Sequence, residues 1–307
     1  MYYGYDLILV KPKLNKIKVI IIILILIAVV AMAILGGIQF AKYKKQKQIE
    51  QENIRLAKLE EERIAEEKRQ EELRIKAEQE RIEGLKNLES FSEEQMQAIE
   101  NIYSSEEKRV FLTFDDGPTT TVTPLILDLL KEQNIKATFF VLGGQARRNP
   151  DLIKREYDEG HYIANHGYSH KYSQIYANIQ NVLDEYNYTD QCIQEAIQNP
   201  NYHSKVFRFP GGSVGGYYKN IKSEAKQYLR DNGIVSLDWN ALTKDAEGAH
   251  TKESIMENLV QTVAEKQSVV VLMHDAYDKI LTYETLPDVI QFFKDNGYTF
   301  KNLYDIV

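Results

Sequence analysis

From about residue 108 onward, short apolar runs alternate with amphipathic stretches, and this alternation restricts the chain to one class of fold. The runs Val110–Phe114, Thr138–Leu142, Tyr162–Asn165, Val206–Phe209, Ile234–Asp238, Val269–Met273 and Thr299–Asn302 have the length of strands. Between them the apolar residues recur at helical spacing, as at Leu125, Leu129 and Leu130. Helices are expected over Val122–Gln133, Pro150–Glu159, Ile175–Ile197, Tyr217–Asp231, Lys252–Lys266 and Tyr283–Asp295. Gly160, Gly233 and Gly297 each follow a helical stretch, where a left-handed cap belongs. Strands that alternate with helices pair in parallel. The pattern predicts an α/β fold, a distorted or incomplete (β/α) barrel, with a flat doubly wound sheet as the alternative.

Polar residues collect at one end of these strands. Asp115 and Asp116 follow the first, Asn165 and His166 the third, Arg208 ends the fourth, Asp238 and Trp239 close the fifth, and His274 and Asp275 follow the sixth. In parallel barrels the C-terminal strand ends carry the active site. Successive side chains on a strand point to opposite faces, so Asp115 and Asp116 can share a pocket only where the backbone turns at the strand end. There, Asp116 with His166 and His170 offers a ligand set for one divalent cation, leaving Asp115 to take a proton from water. Asp-Asp-Gly alone is also an ordinary turn. The same two-His, one-carboxylate set also occurs at iron oxygenase sites.

Five ordered segments carry a resemblance: TFDDGP at 113–118, HGYSH at 166–170, RFPGG at 208–212, LDW at 237–239 and LMH at 272–274. Residues from about 109 to 275 resemble the polysaccharide deacetylase family, also called the NodB-homology or carbohydrate esterase family 4 domain. The resemblance implies a distorted (β/α) barrel that removes acetyl groups from sugars with one divalent metal, often zinc, with cobalt or another ion also possible. It implies Asp115 as base and Asp116, His166 and His170 as metal ligands. Arg208 would hold Asp115, and Asp238 would tune His274, the general acid. The Gly211 amide would bind the oxyanion, and Trp239 and Leu272 would shape the acetyl pocket and groove. Two residues depart from the family pattern. Gly167 stands where Ser or Thr is frequent, removing a hydroxyl that braces the metal loop. Gly211 stands where an aromatic residue is common, removing a wall of the substrate site.

The front of the chain is different in kind. Val19 to Ile38 is an unbroken apolar run, long enough to cross a bilayer. Lysines flank it at 11, 13, 16 and 18 and at 42, 44, 45 and 47, so charge does not orient it. Ala31-Met-Ala33 is a weak cleavage match. The expectation is an uncleaved transmembrane signal anchor at 19–41 behind a short cytoplasmic tail at 1–18. A large C-terminal domain can be translocated largely regardless of charge, and the family's substrates lie outside, so the domain is placed outside the cell. Residues 42–105 are dominated by Glu, Lys, Arg and Gln, with helically spaced pairs such as Lys58/Glu62, Arg63/Glu67 and Glu72/Lys76 and no sustained heptad. They read as a charged helical stalk, a weak coiled coil or a solvated linker. The catalytic domain is then 106–307.

A net charge of −7 gives no sign of nucleic-acid binding, and one cysteine, Cys192, excludes an internal disulfide framework. His161, His203 and His250 lie outside the motifs and receive no role. The expected function is deacetylation of cell-wall polysaccharide, with peptidoglycan N-acetylglucosamine favoured by the anchor and stalk. Chitin-like polymers, other surface glycans and acetylated xylan are the alternatives. A non-catalytic wall-binding scaffold would have no need of Asp115, Arg208, Asp238 and His274. The sequence sets no oligomeric state.

Overall fold

The computed structural model describes residues 16–307, so Lys11, Lys13 and most of the expected tail lie outside the described residues. The chain divides after Ala77 into two compact units. The described residues of the first lie within helix α1 (Lys16–Lys86), whose apolar side chains from Ile20 to Ile38 are exposed. That helix is long and apolar enough to cross a membrane. Beyond the apolar run it is laced with ion pairs one turn apart, including Arg63 with Glu60 and Glu67 and Arg74 with Glu71. Each such exposed pair adds about 0.2–0.5 kcal/mol to a helix.

The second unit, Glu78–Val307, starts upstream of the boundary expected at 106. It holds the last turns of α1 and α2 (Glu93–Glu100), then β1 (Arg109–Asp115), α3 (Thr123–Glu132), β2 (Thr138–Val141), α4 (Gly143–Arg148), α5 (Pro150–Asp158) and β3 (Tyr162–Asn165). Next come α6 (Tyr172–Ile175), α7 (Ile179–Ile197), β4 (Val206–Phe207), α8 (Lys219–Asp231), β5 (Val235–Ser236) and β6 (Ala241–Leu242). The chain ends with α9 (Lys252–Val263), β7 (Ser268–His274), α10 (Ile280–Asp295), β8 (Thr299–Lys301) and a 3₁₀ turn at Leu303–Asp305. The helix expected from Ile175 begins instead at Ile179, after the short α6. The two-residue β6 has no counterpart in the sequence reading, because so short a strand leaves no periodic signal.

All ladders are parallel, in the order β5-β4-β3-β2-β1-β7-β6. β7 runs along one edge of β1 for its full length, while β2 and β8 pair with different halves of β1. No ladder joins β5 to β6 among the described residues, so the curled sheet is a barrel left open there. The two faces of the sheet separate cleanly. Val110, Leu112 and Phe114 pack with Phe139, Val141, Ile163, Val271 and Met273 under the outer helices. Phe111 instead joins Phe140, Ala164, Val206, Val235 and Val270 in a second cluster inside the curl. With a side-chain period of two, Thr113 and Asp115 share the inner face with Phe111, as Leu272 and His274 share it with Val270.

That inner cluster is completed by Leu85, Phe91, Met96, Ile99 and Ile102, all from the stretch read as stalk. The Ser268 hydroxyl donates to the Ile102 carbonyl, and Arg109 donates to it at 3.0 Å, which fastens this segment at the N-terminal end of β1 and β7. α2 is capped by Ser92 and Gln95 in a reciprocal capping box. Truncating Ile99, which is fully buried, is expected to cost about 2–5 kcal/mol. Ile54→Ala, on the exposed helix, should stay within about 0.5 kcal/mol. Urea unfolding of the two variants checks this, and equal effects would place residues 78–105 outside the core.

Candidate active site

Arg208 organises the site. It follows β4 on the inner face and is fully buried. Its Nη1 donates to Asp115 Oδ1 at 2.7 Å and to Thr113 Oγ1 at 2.8 Å. Nε donates to the Leu237 carbonyl and Nη2 to the Asp238 carbonyl, both at 3.0 Å. The guanidinium lies 3.7 Å above the Phe140 ring. A buried charge is tolerable only when paired and hydrogen-bonded, and this one is tied to β1 and to the loop after β5 at once. Asp115 is thereby held by one oxygen.

Asp116 adopts φ 77°, in the left-handed region, so the chain turns directly after Asp115. Both carboxylates then face the same pocket, which continuation of the strand would forbid. Gly117 completes the turn, since a Cβ there would sit 2.0 Å from the Asp275 carboxylate. Asp116 Oδ1 lies 3.6 Å from His166 Nε2 and 3.4 Å from His170 Nε2. The three ligand atoms fall within 4.8 Å of one another. His166 Nδ1 is 2.7 Å from the Arg208 carbonyl, which requires the proton on Nδ1 and leaves the Nε2 lone pair for the pocket. Burial lowers the His166 pKa against the pull of Asp115 and Asp116, which favours the neutral imidazole a metal needs. Asp116 Oδ1 is buried and has no hydrogen-bond partner among the described residues. Two imidazole nitrogens and an orphaned carboxylate oxygen fit a divalent cation.

The loop between the two histidines lacks a hydroxyl at Gly167 but is braced otherwise. Asn165 Oδ1 accepts the Gly167 N–H at 2.9 Å. Glu185, from α7, accepts the N–H groups of Tyr168 and Ser169, both at 2.6 Å.

His274 faces Asp115 across the β1–β7 ladder. Its partner is Asp245, not the expected Asp238. Asp245 Oδ1 is 2.9 Å from His274 Nδ1, and Asp245 Oδ2 accepts the His274 N–H at 2.8 Å and the Thr282 hydroxyl at 2.7 Å. Asp238 turns the other way. It accepts the Ser213 N–H at 2.9 Å and the Ser213 hydroxyl at 2.6 Å, bracing the loop after β4. Asp245 lies in an irregular stretch after β6, in a Thr-Lys-Asp run to which the sequence pattern assigns no element or role. Burial works against charge on His274. The hydrogen bond and charge of Asp245, with Asp115 and Asp116 adding, overcome it and push the His274 pKa up to about 9.

The remaining expected residues line the same end of the sheet. Leu272 is buried on the inner face, two residues before His274. Trp239 is half-buried beside Arg208, whose guanidinium is 5.7 Å from its ring. Gly211 is exposed at φ 74°, and its N–H makes no hydrogen bond among the described residues.

Known proteins resemble this chain in sequence and fold. The polysaccharide deacetylase profile matches residues 103–232. A peptidoglycan-N-acetylglucosamine deacetylase of Bacillus cereus is 32% identical over 206 residues, covering 65% of this chain and 71% of that protein. The chain belongs to the polysaccharide deacetylase family. Peptidoglycan-N-acetylglucosamine deacetylase PgdA of Listeria monocytogenes is 32% identical over 199 residues, and the match spans 65% of this chain but only 39% of that longer protein. A solved Streptococcus mutans CE4 esterase superposes with a TM-score of 0.61 at 33% identity, covering 69% of this chain and 91% of that one. The half-open curled sheet is thus the family's barrel.

The Asp245–His274 pair makes a pH-dependent prediction. The folded pKa of about 9 stands above the usual imidazole value of about 6.5. The stability this proton contributes is therefore fully present below about pH 6.5 and lost as pH rises through about 9. In Asp245→Asn the His274 titration, followed by NMR of the ring protons in metal-free protein, should move to lower pH. An unmoved titration would show that Asp245 does not set the charge of His274.

Proposed function

We propose that this chain is a metal-dependent deacetylase that frees the amine of N-acetylglucosamine in peptidoglycan. The observation that carries this reading is the meeting, at the C-terminal strand ends, of a three-ligand cluster with two separately held proton-transfer groups. The substrate is supported by the relatives named peptidoglycan-N-acetylglucosamine deacetylases. Asp116, His166 and His170 would hold the ion, and their nitrogen and carboxylate donors favour zinc. A divalent ion there supplies Lewis acidity toward the acetyl carbonyl and toward water.

The chain's own groups do the rest. Asp115, with Oδ1 tied to Arg208, keeps Oδ2 for the proton that water gives up. The Gly211 N–H is available to the oxygen that gains charge as water adds to the acetyl carbon. His274, kept protonated by Asp245, gives its proton to the sugar nitrogen as the carbon–nitrogen bond breaks, and acetate and a free amine leave. Trp239 and Leu272 shape the acetyl pocket. Asp238 contributes by holding Ser213 and, through its carbonyl, Arg208.

The apolar part of α1 would anchor the chain as a single-pass span, with its N-terminus in the cytoplasm and the domain facing the wall. Its charged continuation would serve as the stalk.

Three measurements test this reading. Wild type loaded with zinc or cobalt should release acetate from purified peptidoglycan, and chelation should abolish the release. Asp115→Asn and His274→Ala should each keep the metal by elemental analysis and lose about 10²–10⁴-fold in kcat. A His274→Ala protein within a few-fold of wild type, or empty of metal, removes the role given to His274. For topology, protease added to wall-stripped intact cells should digest the domain, and protection until lysis would reverse the orientation.

A further inference from the structure

Gly211 has no side chain, and the space a side chain would enter is already filled. A Cβ there would lie 2.7 Å from Tyr172 Oη and 3.1–3.2 Å from two atoms of its ring. Tyr172 comes from another part of the chain, the first residue of α6, two positions after His170. It is 40% exposed, and its ring centroid is 5.5 Å from that of His170. The ring therefore lies beside a candidate ligand and against the Gly211 backbone.

Tyr172 is supported from behind. Its ring meets Tyr176 edge-on, at 5.9 Å between centroids. Tyr176 is buried, and its hydroxyl donates to the Pro210 carbonyl at 2.8 Å, directly before Gly211. Lys222 Nζ lies 4.9 Å above the Tyr176 ring and donates to the Gly212 carbonyl at 2.8 Å. One buried ring thus fixes both Tyr172 and the loop that carries the Gly211 N–H. The Tyr172 hydroxyl itself makes no hydrogen bond among the described residues. A flat apolar face with an unused polar tip suits a pyranose, which offers C–H groups on its faces and hydroxyls on its rim.

We propose that Tyr172 is a specificity-determining residue whose ring walls the sugar site on the Gly211 side and whose hydroxyl hydrogen-bonds a rim hydroxyl of the N-acetylated pyranose. This rests on the deacetylase reading above. It assigns the wall to α6, where the Gly211 position leaves room for it.

Trp239 is the only tryptophan in the chain, and its ring reaches within 3.4 Å of where a Gly212 Cβ would stand. Its fluorescence therefore reports binding of the N-acetylglucosamine tetramer to the full-length, zinc-loaded chain in detergent, without turnover. Tyr172→Ala should raise Kd and KM for the tetramer about tenfold, with the smaller part of the loss in kcat. Tyr172→Phe keeps the ring and should recover most of that loss. Gly211→Ala should weaken binding both because its Cβ meets the Tyr172 hydroxyl and because Ala is strained at φ 74°, and only the first part should disappear once Tyr172 is Ala. Such non-additivity is the mark of residues in contact. If Tyr172→Ala does not fold, Tyr172→Phe and Gly211→Ala carry the comparison. Wild-type affinity in Tyr172→Ala, or effects of the two positions that simply add, overturns the proposal. A wild type that binds the tetramer normally but releases no acetate from any glycan sinks the deacetylase reading and leaves the wall measurable. A wild type that fails to bind the tetramer overturns the assignment of Tyr172 to this sugar, and the deacetylase reading is then decided by acetate release from peptidoglycan.

Discussion

The contact between Arg208 and Asp115 is the constraint around which the domain is arranged. A guanidinium with no solvent exposure must find its acceptors inside the protein, and these come from Thr113, Asp115, Leu237 and Asp238. Four strands are bound into one problem as a result. β1 supplies the carboxylate, β4 the arginine, the turn after β5 two carbonyls, and β2 the Phe140 ring beneath the charge. Removing either partner would leave an uncompensated charge in the interior, which typically costs about 3–5 kcal/mol. The Arg208 carbonyl also orients His166, so the same residue positions Asp115 and one candidate ligand.

An open barrel makes this arrangement possible. With no ladder between β5 and β6, the sheet does not close, and its inner face needs another source of apolar cover. Residues 85–102 provide it at the N-terminal end of the strands, packing Phe91, Met96, Ile99 and Ile102 against Phe111, Phe140 and Val270. The opposite end is left for polar groups. Each inner column runs from apolar to functional: Phe111, Thr113, Asp115 on β1 and Val270, Leu272, His274 on β7. The period of two that segregates the core thereby delivers Asp115 and His274 to the same level of one pocket.

The second tier of contacts shows how the chain departs from its family without losing the site. Gly167 offers no hydroxyl, and Glu185 reaches in from α7 to hold the two following amides. Gly211 offers no side chain, and Tyr172 occupies the vacated volume. Glu185 comes from α7, and Tyr172 from the turn directly after His170.

The sequence by itself determined the strand–helix alternation, the parallel pairing and the C-terminal placement of Asp115, Asp116, His166, Arg208 and His274. These are local properties: periodicity marks the element, and the motif marks where it ends. It also isolated the apolar run of α1, whose length is written in consecutive residues. Tertiary structure alone decided the rest. Asp245 meets His274 only because an irregular loop after β6 folds back over β7, and a single carboxylate in such a loop has no periodic signature. Asp238, though in a motif, is carried toward Ser213 by the turn after β5. The boundary at Glu78 was hidden for the same reason. Apolar residues spaced sparsely among charges look like a stalk until the open end of a curled sheet supplies the surface that buries them.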